Sequence, residues 1–108
     1  QDIEINNPYF VNKHVQFSEK TGRNDTETST VTDYIECGNL QSFLKYNRDM
    51  LCQELIIDWS IQLLMGAYSL EINDLVYSDV TPKTLGVTEN GSQIKYIDYG
   101  NVQEAIKE

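Results

Sequence analysis

Two aspartates, Asp79 and Asp98, stand nineteen residues apart, each just after a short apolar run. Between them lies Glu89-Asn90-Gly91-Ser92, a hairpin signal, because Asn-Gly readily takes the positive φ that tight primed turns need. Residues 85–88 and 94–97 would be its arms. A hairpin flanked by two aspartate-bearing loops puts two carboxylates on one side of a small sheet. That is a layout for holding metal and phosphate, or the relic of one. The plainer reading is that each aspartate caps its own turn through its side chain. The lone histidine, His14, excludes a histidine-based metal site. A Ser-His-Asp triad has no nucleophile elbow to support it.

The elements that must carry these aspartates follow from the pattern upstream. Residues 51–72 are the longest regular stretch. Leu55, Trp59, Leu63, Gly66 and Leu70 form one stripe at helical spacing, and Ile57, Ile61, Leu64, Met65 and Tyr68 a second beside it. An apolar face this wide predicts a helix buried on more than one side. Burial stabilises by roughly 1.5–3 kcal/mol per such side chain. Gly66 costs about 1 kcal/mol in a helix interior relative to alanine, which predicts the close approach of another backbone there. Asn39 is a fair N-cap for a shorter helix through Tyr46, with Leu40, Phe43 and Leu44 on one face.

The first third is less regular. Residues 9–17 and 29–36 are rich in β-branched and aromatic types and read as strands. Residues 18–28, almost without apolar side chains, read as an exposed loop. The fold expected is α+β: two antiparallel strands, a short helix, a long buried helix, then a β-hairpin. It forms one domain over 1–108, with a strand pair and turn in 1–38 and the helices and hairpin in 39–108.

Composition narrows the function classes. Seventeen acidic against eight basic residues give a net charge of −9. A phosphate backbone or an anionic membrane surface is repelled by such a chain, so no nucleic acid partner is expected. No run of 18 or more apolar residues offers a membrane span. Cys37 and Cys52 allow one disulfide or two free thiols. Asn24-Asp25-Thr26 and Asn90-Gly91-Ser92 match the glycosylation triplet, a pattern that also arises by chance. The compartment stays open between cytoplasm and secretory pathway.

The stretch from Leu75 to Val102 resembles the catalytic core of the eukaryotic protein-kinase fold. That family carries His-Arg-Asp-Leu-Lys-Pro-x-Asn in its catalytic loop and Asp-Phe-Gly in its metal loop. Here YSDVTPKT spans Tyr77 to Thr84, and Asp98-Tyr99-Gly100 follows the hairpin. Upstream, DYIECGNLQSFL is similar to the strand, hinge and first helix of a kinase C-lobe. The Asp98, Asn101, Val102 ending, with the helix IIDWSIQLLMGAYSLEIND, is similar to the divergent secretory-pathway kinases.

The resemblance implies Asp79 as catalytic base and Asp98 as magnesium ligand. It implies Thr84 at the position of the second metal ligand, and Glu36, Cys37 and Gly38 along the adenine edge of ATP. On residue types alone, the last three read as a plain strand-to-helix turn. Several family positions are replaced: Tyr77-Ser78 for His-Arg, Thr81 for lysine, and Thr84 for asparagine. No glycine-rich phosphate loop occurs, and Lys13 and Lys20 are not in a Val-Ala-x-Lys setting.

The length is that of part of a kinase, and a start at Gln1 reads as an excised piece or a chain leaning on another. Three expectations follow. The chain is a catalytically impaired kinase-like module for binding, regulation or scaffolding; or a piece of an active divergent kinase using ATP and magnesium; or a structural subunit of an assembly. Each leaves the long-helix face to be covered by a protein partner or by the remainder of a larger kinase-like chain.

Overall fold

In a computed structural model, the chain is described at Ile5 and over residues 7–22 and 25–105. The Asn24 glycosylation triplet begins outside the described residues. Among the described residues, two α-helices and six strands occur in the order β1 (Lys13–Lys20), β2 (Thr26–Thr32), α1 (Leu40–Tyr46), α2 (Gln53–Glu71), β3 (Leu75–Tyr77), β4 (Leu85–Thr88), β5 (Gln93–Tyr96) and β6 (Val102–Glu104). The strands form three antiparallel pairs, β1–β2, β3–β6 and β4–β5. The fold is therefore α+β, as expected.

The first helix begins where the sequence signals it, and the second, expected from residue 51, begins at Gln53. Asn39 caps α1, its side chain accepting from the Ser42 N–H at 2.9 Å. This satisfies one of the donors that a helix start leaves without a partner. The hairpin turn between β4 and β5 also forms at Asn-Gly. Asn90 lies at φ 57, ψ 29 and Gly91 at φ 98, and the Ser92 N–H donates to Glu89 O at 3.1 Å. These are the angles of a primed turn. Glu89, at φ 55, extends the left-handed stretch one residue further than expected.

The β1–β2 ribbon corrects the reading of the first third. The polar stretch 18–28 is mostly paired rather than looped, with Ser18 opposite Thr28 and Lys20 opposite Thr26. Residues 9–17 do not make one strand. Residues 9–11 instead lie alongside β5, Val11 N donating to Tyr96 O at 3.0 Å and Tyr96 N to Tyr9 O at 2.9 Å. Beyond Thr32 the second expected strand gives way to a turn.

The core lies between α2 and the β4–β5 hairpin. Phe10 stacks on Tyr96 at 4.8 Å, and Tyr77 packs against Tyr96 at 4.7 Å. Phe43 meets Trp59 edge-on at 5.7 Å, and Trp59 Nε1 donates to Gly91 O at 3.0 Å. Leu85, Val87 and Ile94 fill the space between. Gln62 of α2 serves the hairpin edge twice, accepting from Ile94 N at 2.8 Å and donating to Ser92 O at 3.1 Å. These bonds supply partners to backbone groups of β5 and its turn that pairing with β4 leaves over.

The stripe through Leu55, Trp59, Leu63, Gly66 and Leu70 is the one that faces this core. The second stripe does not enter it. Ile57, Ile61, Leu64, Met65 and Tyr68 are 47% to 70% exposed. Burial of α2 on more than one side is thus corrected to burial on one side. The strands that pack on α2 are β5 and β3, and they reach only one face of the helix. At Gly66 the close neighbour is not backbone. A Cβ there would sit 2.7 Å from Tyr96 Cε2 and 3.0 Å from Tyr9 Cβ.

Candidate functional site

The Asp79 and Asp98 turns meet at the β3–β6 pair. Leu75 lies opposite Glu104 and Tyr77 opposite Val102, so the chain leaving β3 runs past the turn that enters β6. Ser78 N donates to Asn101 O at 2.7 Å and closes the junction. Asn101 Nδ2 then reaches Asp79 O at 3.4 Å and Asp98 Oδ2 at 3.5 Å, both long contacts. The amide of Asn101 lies between the Asp79 main chain and the Asp98 carboxylate.

The Asp98 carboxylate has a local role. Its Oδ1 accepts from Gly100 N at 3.0 Å and caps the turn Tyr99–Asn101. This is the turn-capping behaviour that aspartate shows wherever a backbone N–H two residues on needs an acceptor. Asp79 contributes its main-chain oxygen to the junction, and both aspartates are exposed.

Tyr77 ties the two turns together from below. Its ring is buried, and its hydroxyl donates to Thr84 O at 3.0 Å while accepting from Asp98 N at 3.1 Å. Burial pushes the phenol above its ordinary pKa, and the bond from Asp98 N opposes that shift. Tyr99 anchors the other side, donating to Val11 O at 2.8 Å with Lys13 Nζ 5.1 Å from its ring centroid. A cation is therefore drawn close to the Asp98 turn by ring geometry rather than by sequence neighbourhood.

Thr84 does not sit as a metal ligand would. It is buried, its Oγ1 accepts from Thr81 N at 3.0 Å, and it donates to Asp79 O at 2.9 Å, with Thr81 O at 3.1 Å sharing the hydrogen. The hydroxyl is a staple inside the 79–84 loop. The turn at Glu36, Cys37 and Gly38 is likewise engaged within the chain. Cys37 N donates to Val87 O at 3.1 Å, Gly38 O accepts from Val87 N at 3.0 Å, and Gly38 N donates to Ile35 O at 3.0 Å. Glu36 Oε1 accepts from Asn90 N at 2.9 Å. The plain strand-to-helix turn is the better description, since Cys37 N and both backbone groups of Gly38 already have partners. Cys37 and Cys52 are free thiols, with Cys52 exposed at the N-cap of α2.

The donor set does not fit magnesium with ATP. Magnesium holds to one or two carboxylates together with substrate phosphates in near-octahedral geometry. Asp98 could supply one oxygen, but Thr84 is engaged elsewhere. Among the described residues no three His, Cys, Asp or Glu side chains converge. No helix of the described residues is long and apolar enough to cross a membrane. No known family model matches the chain.

Tyr77, Tyr99 and Lys13 are the site's contributors that residue spacing did not single out. Tyr77 had one signal, its place two residues before Asp79. The role of Lys13 depends on how the N-terminal segment crosses Tyr99, and no local pattern encodes that crossing.

Proposed function

We propose that the chain is a divergent, catalytically impaired kinase-like module that acts through protein contacts, as a binding, regulatory or scaffold element. The observation that carries this reading is the exposed stripe of α2. Isolated exposed apolar residues are ordinary, but five on one helix face form a continuous patch, and such patches mark interaction sites. Ile57, Ile61, Leu64 and Tyr68 follow the four-three-four spacing of a seam that another helix fills. A protein partner, or the remainder of a larger kinase-like chain, would cover it.

The impaired chemistry is supported by Thr84 and by the engaged turn at Cys37 and Gly38. Isothermal calorimetry of the chain with ATP and magnesium or manganese tests it. The reading expects no metal-dependent heat of binding. A saturable, metal-dependent signal that Asp98→Ala removes would sink it.

A second reading keeps phosphotransfer in a longer polypeptide, with Asp79 as base and Asp98 on the metal. It draws support from Asn101, which brings the Asp79 loop and the Asp98 turn together. Labelling of a protein substrate from radioactive ATP by such a polypeptide, lost with Asp79→Asn, would favour it over the first.

A further inference from the structure

A groove of about 510 Å³ opens between α1 and the 79–84 loop, away from the exposed stripe of α2. Gln41, Ser42, Lys45 and Tyr46 line one wall, and Arg48 and Pro82 complete it. Its size falls within the ordinary range of ligand clefts. The two walls are tied to each other, since Gln41 N donates to Pro82 O at 3.2 Å. The groove is therefore formed before anything enters it, which lowers the ordering cost of binding.

Its charge runs against that of the molecule. The chain carries −9, with only eight basic residues. Two of these, Lys45 and Arg48, line this groove, and no carboxylate does. Lys83, exposed, follows Pro82 directly. Gln41 and Lys45 lie one turn apart on α1, and Arg48 follows just past its end. The walls are mostly apolar, and Tyr46, with Lys45 Nζ 5.4 Å from its ring centroid, is largely exposed. A lone inorganic anion would use the two cations and leave these walls wet. An extended peptide uses both.

We infer that the groove between α1 and the 79–84 loop binds an acidic peptide segment, with Lys45 and Arg48 taking its carboxylates and Tyr46 and Pro82 its stems. Arg48 offers a planar fork suited to a carboxylate, and Lys45 a point charge. Like-charge repulsion from the rest of the molecule lowers the affinity and makes it depend on salt. The inference stands whatever the ancestry of the 79–84 loop.

Fluorescence anisotropy of the 108-residue chain with labelled Glu-Glu-Tyr-Glu-Glu tests it. Gln-Gln-Tyr-Gln-Gln serves as the neutral peptide and inorganic phosphate as competitor. The acidic peptide binds, and the neutral one binds on the order of tenfold more weakly. Lys45→Glu with Arg48→Glu costs about the same factor, while Lys20→Glu on β1 leaves binding unchanged. Circular dichroism melts of both variants stay at the parent value, because these side chains are exposed. Absence of binding, equal binding of the neutral peptide, or indifference to the double substitution overturns the inference. Phosphate binding as tightly as the peptide also overturns it, reducing the groove to a simple anion site.

Discussion

Tyr77 occupies a place where two stretches of chain, the 79–84 loop and the Asp98 turn, each present a main-chain group to one hydroxyl. Thr84 O has a second partner in Ile97 N at 3.1 Å, whereas Asp98 N is held by Tyr77. Removing the hydroxyl therefore leaves a donor without its acceptor, which costs more than the bond itself was worth. Tyr77→Phe should lower unfolding stability by about 1–2 kcal/mol, measured by urea denaturation, with faster hydrogen exchange at the Asp98 amide. A neutral effect on both would show that the hydroxyl ties nothing. Thr84→Val removes the staple that holds Asp79 O and Thr81 N and should cost about 1–3 kcal/mol. An unchanged urea midpoint for it would contradict the loop's dependence on that side chain. Asp79 and Asp98 were legible as residues of interest from their spacing alone. What each atom does was not, because the capping of Gly100 N by Asp98 and the burial of Thr84 depend on a pairing of β3 with β6 that no local pattern announces.

The elements differ in how openly the sequence declares them. α1 and α2 were legible because a cap and a helical repeat are local signals. The β4–β5 hairpin was legible because Asn90-Gly91 can take φ values that most residues avoid. The antiparallel β1–β2 pair was legible, but its reach into 18–20 and 26–28 was not, since Ser18, Glu19, Lys20, Thr26 and Glu27 show no apolar alternation. Its pairing rests on backbone bonds and on the β-branched character of Thr26, Thr30 and Thr32. β3 and β6, three residues each, are too short to carry a period at all.

Gly66 gives an element-scale test with an unusual sign. Alanine normally stabilises an exposed helix interior by about 1 kcal/mol over glycine. Here the added Cβ meets the Tyr96 ring and Tyr9, so Gly66→Ala should instead destabilise by about 1–3 kcal/mol. Thermal unfolding decides it, and a gain in stability would mean that α2 and β5 do not pack as described.

At the scale of the whole molecule, three half-buried or buried phenols set the response to alkali. Burial raises Tyr77, Tyr96 and Tyr99 above the usual value of about 10. In the unfolded chain these groups release protons first, so folded stability is full below pH 10 and declines as pH rises beyond it. Urea midpoints taken from pH 7 to pH 11 should fall only past pH 10, and a flat profile to pH 11 would contradict that burial. At the acid end, Asp33 is held below the ordinary carboxylate range, first by its bond with His14 and then by Asn12. Its contribution is present above about pH 4 and fades as pH falls through the lowered value.

The exposed stripe of α2 and the junction of Asp79 with Asp98 lie on the same small frame. The first is a continuous exposed apolar surface, and the second sets two exposed aspartates beside a threonine whose hydroxyl is engaged within its own loop. Titration of manganese with ATP into isotopically labelled chain, followed by amide NMR, tests this directly. Paramagnetic broadening should fall diffusely over the acidic surface, with no selective loss at Thr81, Gly100 or Asn101. Selective, stoichiometric disappearance of those three signals would show a metal–nucleotide complex seated between the two aspartates and contradict the account.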